Sequence, residues 1–379
     1  MTSDMKQGYD RFYGALTREY TPDRVPLAIS TDGEPFAKHY GMSRGEMFRE
    51  GKNIEITKRG VEEFGRWDAD LKVTQFGIPV STSEIPIKFL LPGIDLPDDA
   101  AVMADEREYI KVEDYDKIID MGWEEYWKNY QFSQIQGIPV SEYDTWQDSY
   151  EEQVRKCQEN AEAIGIANCA ETIMSNVLAC PFFAFSLGRS FTPFAEDLFF
   201  RKDKVKKALQ SYHEHQIEST LQKLEGTKAK TLIYCEERAG GMFPLHIFEE
   251  FWMPYALEFI DAMHSRGITT MMHIDMNWIK NLPLFKKFPK GAVCICLDST
   301  TPIFEAKELL GDHVQYMGDV PATLLSFGKP EEVTAYCQDL VKNVGKNGGF
   351  ILSSGCEFPP DAKMENYVAM REVALNSKY

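Results

Sequence analysis

The feature that most constrains this chain is an alternation in its second half. Short β-rich runs at 231–235, 269–274, 292–297, 314–317 and 349–355 are separated by helical patterns. Strands that alternate with helices call for parallel pairing, because a parallel neighbour is reached only through a long crossover, usually a helix. The first half supplies three weaker strand patterns, at 24–31, 71–76 and 165–169, for a total of eight. Eight such units can close on themselves, so the expected fold is a single (β/α)8 TIM barrel spanning 1–379. A Pro-rich stretch of about 77–137 interrupts the alternation after the second strand. It reads as a large insertion or lid, with β-like pieces at 85–91 and 109–112.

The ends of these runs carry the chemistry. In a β/α barrel the catalytic groups sit at the carboxyl ends of the strands. Here the ends bear Asp32, Glu236 with Glu237, His273 with Asp275, Asp298, Asp319 and Cys356. In an extended strand, residues i and i+2 share a face, so His273 and Asp275 look the same way. With Cys356 at the exit of the last strand they form a candidate metal site. Asn277 and Trp278 follow directly and are candidate cofactor contacts. Asp319 is read as a substrate-binding or catalytic group, as a group orienting a ligand, or as a helix cap. Asp32 and Asp298 are equally open to a capping role, since Asp often caps the helix after a βα loop. Phe36, Phe185, Tyr234 and Trp278 are candidates for an aromatic wall, with ordinary core packing as the alternative.

Composition excludes other classes. A formal charge of -18, with no basic block, argues against nucleic-acid binding. The longest apolar run, 177–187, is too short to cross a bilayer, and the polar first ten residues lack the apolar core of a secretion signal, so a cytoplasmic location is expected. Eight scattered cysteines without a Cys-x-x-Cys pair suit reduced, mostly buried thiols.

Several segments together resemble the uroporphyrinogen decarboxylase-like superfamily. They are His273 to Asp275, the strand to Asp298, Phe304 to Asp312, the turn Met317-Gly318-Asp319-Val320-Pro321, the stretch Gly348 to Cys356, and Pro359-Pro360-Asp361 with Glu365-Asn366. Asp32-Gly33 and Tyr40-Gly41 near the front are also similar. The resemblance implies one β/α barrel. Within the superfamily the chain looks like the corrinoid-dependent methyltransferase branch, whose members bind zinc through His-x-Cys on one strand and a Cys on the last. His273 and Cys356 match that pattern, and Asp275 replaces the middle Cys. Carboxylate oxygen is an ordinary zinc ligand. Glu237, Glu236 or the substrate would complete the set, with Glu237 and Asp319 as catalytic residues.

The same resemblance implies a corrinoid (cobalamin) carried by a partner protein, since the chain has no Asp-x-His-x-x-Gly run of its own. Replacing a thiolate by Asp275 should leave zinc more electrophilic and favour an oxygen-bound methyl donor, a methoxylated aromatic ether. A homodimer is left open. The alternatives are a decarboxylase, for which 30–41 offers only Lys38 and His39 as bases, and a non-catalytic small-molecule-binding barrel without metal.

Overall fold

Residues 269–274 show how the sheet is built. Thr269–Ile274 is a strand whose alternate side chains enter two different cores: Met271 packs on one face, Met272 and Ile274 on the other. A strand covered on both faces is near-continuously apolar, as parallel strands between helical layers are. Val293–Leu297 repeats the pattern, with Cys294 and Cys296 on the first face and Val293, Ile295 and Leu297 on the second.

The computed structural model describes residues 2–71, 84–168, 178–226 and 229–379. In chain order the strands are β1 (Ala28–Ile29), β2 (Ala69–Asp70), β3 (Phe89–Leu90), β4 (Met103–Ala104), β5 (Ala167–Asn168), β6 (Leu178–Ala179), β7 (Thr231–Glu236), β8 (Thr269–Ile274), β9 (Val293–Leu297), β10 (Gln315–Val320) and β11 (Phe350–Ser354). Nine of them pair in parallel, in the orders β11-β10-β9-β8-β7-β6 and β1-β2-β5. A parallel bridge between Leu27 and Leu352 joins the two groups, and the Leu352 amide donates to Pro26 O at 3.0 Å. The order therefore runs unbroken from β6 through β11 and β1 to β5. Residues 169–177, between β5 and β6, lie outside the described residues.

One face of this array is lined by small or slender side chains. Ala28, Ala69, Ala167, Met271, Cys294, Cys296, Met317 and Ile351 pack there against Tyr9, Phe12 and Leu16 of the helix Ser3–Thr17. Gly8 permits the approach, because a Cβ there would lie 2.3 Å from Asp68 O. The helices Lys202–Leu224, Met253–His264, Pro330–Asn343 and Met364–Asn376 bury their apolar residues in the larger core on the other face.

Several expectations need correction. The second strand is Ala69–Asp70 rather than 71–76, and 72–76 lie outside the described residues. Leu178–Ala179, inside the apolar run 177–187, is a further strand that the count of eight did not include. In the insertion, β3 and β4 form an antiparallel pair, but 109–112 is not a strand. From Asp114–Met121 to Phe132–Gln136 it is helical, and this part is anchored by Trp123, whose ring meets Tyr212 edge-on at 4.7 Å. The helical pattern between β7 and β8 is broken at Trp252 into Leu245–Phe251 and Met253–His264.

Candidate metal centre

His273 lies on the same face as Met271, one step nearer the carboxyl end of β8. In register it is flanked by Cys235 on β7 and Cys296 on β9. The strand ends at Ile274, so Asp275 stands on the loop beyond it. Cys356 sits two residues past β11, in a turn that Ser354 Oγ closes by donating to Cys356 O at 2.8 Å. These three side chains from two distant segments converge. His273 Nε2 is 3.2 Å from Asp275 Oδ1 and 3.7 Å from Cys356 Sγ, and one ligand atom from each residue falls within 4.8 Å of the others.

The electrostatics favour a cation at the centre of this group. Burial alone would push the His273 imidazolium toward its neutral form, yet Asp275 and Cys356 outweigh it and raise the pKa well above the usual histidine range. Asp275 Oδ1 is buried without an aligned hydrogen-bond donor. A carboxylate oxygen in that position is costly unless something positive faces it. Imidazole nitrogen, carboxylate oxygen and thiolate sulfur are together a zinc-type donor set.

Glu237 stands at the edge of the group, not within it. It is half-buried and accepts from Cys235 Sγ at 3.3 Å. Burial raises its pKa, with His273 opposing and Asp275 reinforcing the shift. Glu236 is turned away and fully buried. Its Oε1 accepts the amides of Arg238 and Ala239, both at 2.9 Å, which makes it a turn-former, and it is not among the three residues whose ligand atoms converge. Burial lifts its pKa to about 8 against those two hydrogen bonds, so it keeps its proton at neutral pH.

Asp319 is buried and accepts from Tyr336 Oη at 2.7 Å, and burial raises its pKa to about 7. Its named partners belong to the packing of β10 against helices and not to the His273 group. Asn277 is exposed at the rim, where its Oδ1 accepts the Ile279 amide at 3.0 Å. Trp278 needs correction as a cofactor contact. It is fully buried, with Phe248, Trp252 and Phe285 around its ring, because its indole is the plug that seats the ligand loop on the core. The other rings of the expected aromatic wall are core as well: Phe36 stacks on Phe64 and Trp67, Phe185 on Tyr115, and Tyr234 on Phe259.

Neither Asp32 nor Asp298 caps a helix. Gly33 and Pro302 hold those N-cap positions. Asp298 instead reaches across to the ligand loop, where its Oδ2 accepts the Met276 amide at 3.1 Å. Thr301, which no motif marks, serves the same loop through its hydroxyl. The polar run Asp298-Ser299-Thr300-Thr301 after an apolar strand was its only signal.

A parallel α/β sheet with a candidate metal group at the carboxyl ends of two strands is the class these features define. The chain belongs to the uroporphyrinogen decarboxylase (URO-D) family, whose model matches residues 134–376. It is similar to uroporphyrinogen decarboxylase of Coxiella burnetii, at 26% identity over 144 residues, or 36% of this chain and 38% of that one. It is also similar to the methylcobamide:CoM methyltransferase MtbA of Methanosarcina acetivorans, at 29% identity over 143 residues, 38% of this chain and 39% of the relative. The chain thus spans well under half the length of the curated relatives it matches. The fold likeness is wider: a methyltransferase structure from Methanosarcina mazei superposes with a TM-score of 0.61 at 15% identity, covering 96% of this chain and 97% of that one.

Proposed function

We propose that this chain is a zinc-dependent methyltransferase that moves a methyl group from a methoxylated aromatic ether to the corrinoid of a separate protein. The observation that carries the reading is the convergence of His273, Asp275 and Cys356 in a family member that is similar to a methylcobamide methyltransferase. The unbroken strand order through Leu27 and Leu352 supports a closed barrel with the metal group at its mouth. The insertion of about 77–137 would then cover the substrate. Among the described residues no helix is long and apolar enough to cross a membrane.

His273 Nε2, Asp275 and Cys356 Sγ would hold the zinc, which when bound supplies Lewis-acid stabilisation of a departing oxygen. The chain's own groups divide the remaining work. Asp275 contributes a hard oxygen where sulfur would quench the metal's charge, which favours an oxygen-bound donor. Glu237, held toward its protonated form by burial, would give a proton to the departing phenolate. The exposed Asn277 lies on the rim, where a docked corrinoid would have to pass.

A decarboxylase reading has the Coxiella relative in its favour. Residues 30–41 offer only Lys38 and His39 toward the cationic clamp that carboxylate-rich substrates call for. Lys38 is exposed and paired with Asp361, and His39 packs edge-on against Phe64.

The test is metal analysis joined to methyl transfer, followed through the cobalt spectrum of a reduced corrinoid protein. We expect one zinc per chain, with His273→Ala and Cys356→Ala losing both the metal and at least about a hundredfold in rate while staying folded. Undiminished transfer by a zinc-free His273→Ala variant would overturn the mechanism.

A further inference from the structure

The loop that carries Asp275 is clamped from both sides. Because β8 ends at Ile274, strand alternation does not set the direction of Asp275; the peptide groups that follow do. Met276 adopts a left-handed φ of 71°, which a residue with a side chain takes up only when its surroundings hold it there. Its amide donates to Asp298 Oδ2 at 3.1 Å, and its carbonyl accepts from Thr301 Oγ1 at 2.8 Å. The same Thr301 oxygen accepts the Trp278 amide at 2.9 Å, and Trp278 Nε1 donates to the carbonyl of Asp275 itself at 2.6 Å. Asp298 is fixed in turn, since its Oδ1 accepts from the amide and hydroxyl of Thr300 at 2.9 and 2.6 Å.

On the opposite flank the loop after β7 closes in. A Cβ at Gly240 would lie 2.2 Å from the Trp278 ring, and one at Gly241 would lie 2.3 Å from Met276 Cβ. Asp275 O, Met276 N–H, Met276 O and Trp278 N–H therefore each meet a partner. Thr301 is fully buried, so its hydroxyl has no alternative in water.

We infer that Asp298 and Thr301 are positioning residues: acting through the Met276 peptide, they hold Asp275 where its oxygen can join His273 and Cys356 on the metal. The inference rests on the metal-centre reading above. Neither residue touches the metal group, and each acts on the ligand's backbone, as outer partners of metal ligands commonly do.

Cobalt(II) in place of zinc is the probe, because its visible bands report coordination geometry and its sulfur charge-transfer band reports Cys356 separately. Wild-type protein, Asp298→Asn, Thr301→Val, Thr301→Ser and His273→Ala are titrated with cobalt alone. An asparagine keeps one acceptor oxygen and so cannot serve both Met276 and Thr300. Asp298→Asn and Thr301→Val are expected to weaken cobalt binding about 10- to 100-fold and to shift the visible bands, with the sulfur band retained. Thr301→Ser, which keeps the hydroxyl, is expected to restore the wild-type spectrum. Should Thr301→Val fail to fold, the half-buried Asp298 still carries the test. Wild-type affinity and spectrum in Asp298→Asn would overturn the positioning role while leaving the metal centre standing. No cobalt uptake by the wild type, or an unchanged spectrum in His273→Ala, would overturn the metal centre and the positioning role together.

Discussion

The two halves of the parallel array are built on different physics. In the second half, β7 to β11 are strands of five or six residues, each paired in register with a neighbour over several residues. In the first, β1, β2 and β5 are two residues long and pair over two positions. A polar cluster does there what the ladder does elsewhere. Asp68 takes both ends of the Arg24 guanidinium at 2.7 Å, Arg11 Nη1 at 3.1 Å and the Leu27 amide at 2.9 Å. Trp67 Nε1 donates to Asp70 at 3.0 Å one turn further on. The candidate metal ligands belong to the long-laddered half, where strand direction is fixed over many bonds and a side chain can be placed accurately.

The sharpest way to break this contrast is to remove Asp68, whose side chain is only 4% exposed. Asp68→Ala strands the Arg24 guanidinium and a buried amide, while Arg11 keeps Asp23, and breaking a buried pair from one side typically costs about 3 to 5 kcal/mol. Chemical denaturation should register that loss. A cost below about 1 kcal/mol would mean that the short strands hold themselves.

The second half carries its own polar weak point in Asp319. Burial lifts its pKa to about 7, against an ordinary value of 3.8. Between those two pH values the folded protein keeps a proton that the unfolded chain has released, so the stabilisation is complete below about pH 4 and is lost as the pH rises toward 7. Asp319→Asn keeps an acceptor for Tyr336 and abolishes the titration. It should match the wild type near pH 4 and exceed it by roughly 2 to 4 kcal/mol near pH 7. Parallel pH profiles for the two proteins would show that the carboxyl is not held in its neutral form.

What could be read in the sequence follows the same division. The long strands were legible because each is a continuous apolar run closed by a polar residue, and the alternation with helices fixed their order. His273 and Cys356 were legible as candidates because a strand and a strand exit point at them, whereas Asp275 was legible only by its spacing from His273, since the loop and not the strand sets its direction. The short strands were not. Ala69–Asp70 and Leu178–Ala179 are too brief to show a period, and Arg11, Arg24 and Asp68 are brought together only by the fold. Trp278 misled for a related reason, since its position next to the ligands says nothing about which way a loop residue turns. For Asp298 the capping and site roles stayed equally open because one strand end looks like another until the neighbouring loop is seen.

Native-state hydrogen exchange should sharpen the comparison at the level of single amides. Those of β8, β9 and β10, flanked by paired strands on both sides, are expected to open with a free energy at least about 2 kcal/mol above those of β1, β2 and β5. Equal protection would show that the polar cluster makes the array cooperative throughout.

The smallest effect is expected where the halves meet at the surface. Lys38, on the helix Glu34–His39, pairs with Asp361 beyond β11, and the side chains are 64% and 58% exposed. The pair spans the same seam as the Leu27–Leu352 bridge, so it looks like a fastening between the two groups of strands. Its exposure argues otherwise. Two long-hydrated groups gain little Coulomb energy in water, lose side-chain freedom on pairing, and are screened by salt within roughly 8 Å at physiological ionic strength. A double-mutant cycle of Lys38→Ala and Asp361→Ala should give a coupling of about 0.2 to 1 kcal/mol that fades in 1 M salt. The seam is instead held by buried main-chain bonds, from the Leu352 amide to Pro26 O at 3.0 Å and from the Phe358 amide to Ser30 O at 2.8 Å, which salt does not reach. A salt-resistant coupling near 2 kcal/mol would move the fastening of the two halves from the buried backbone to the surface pair.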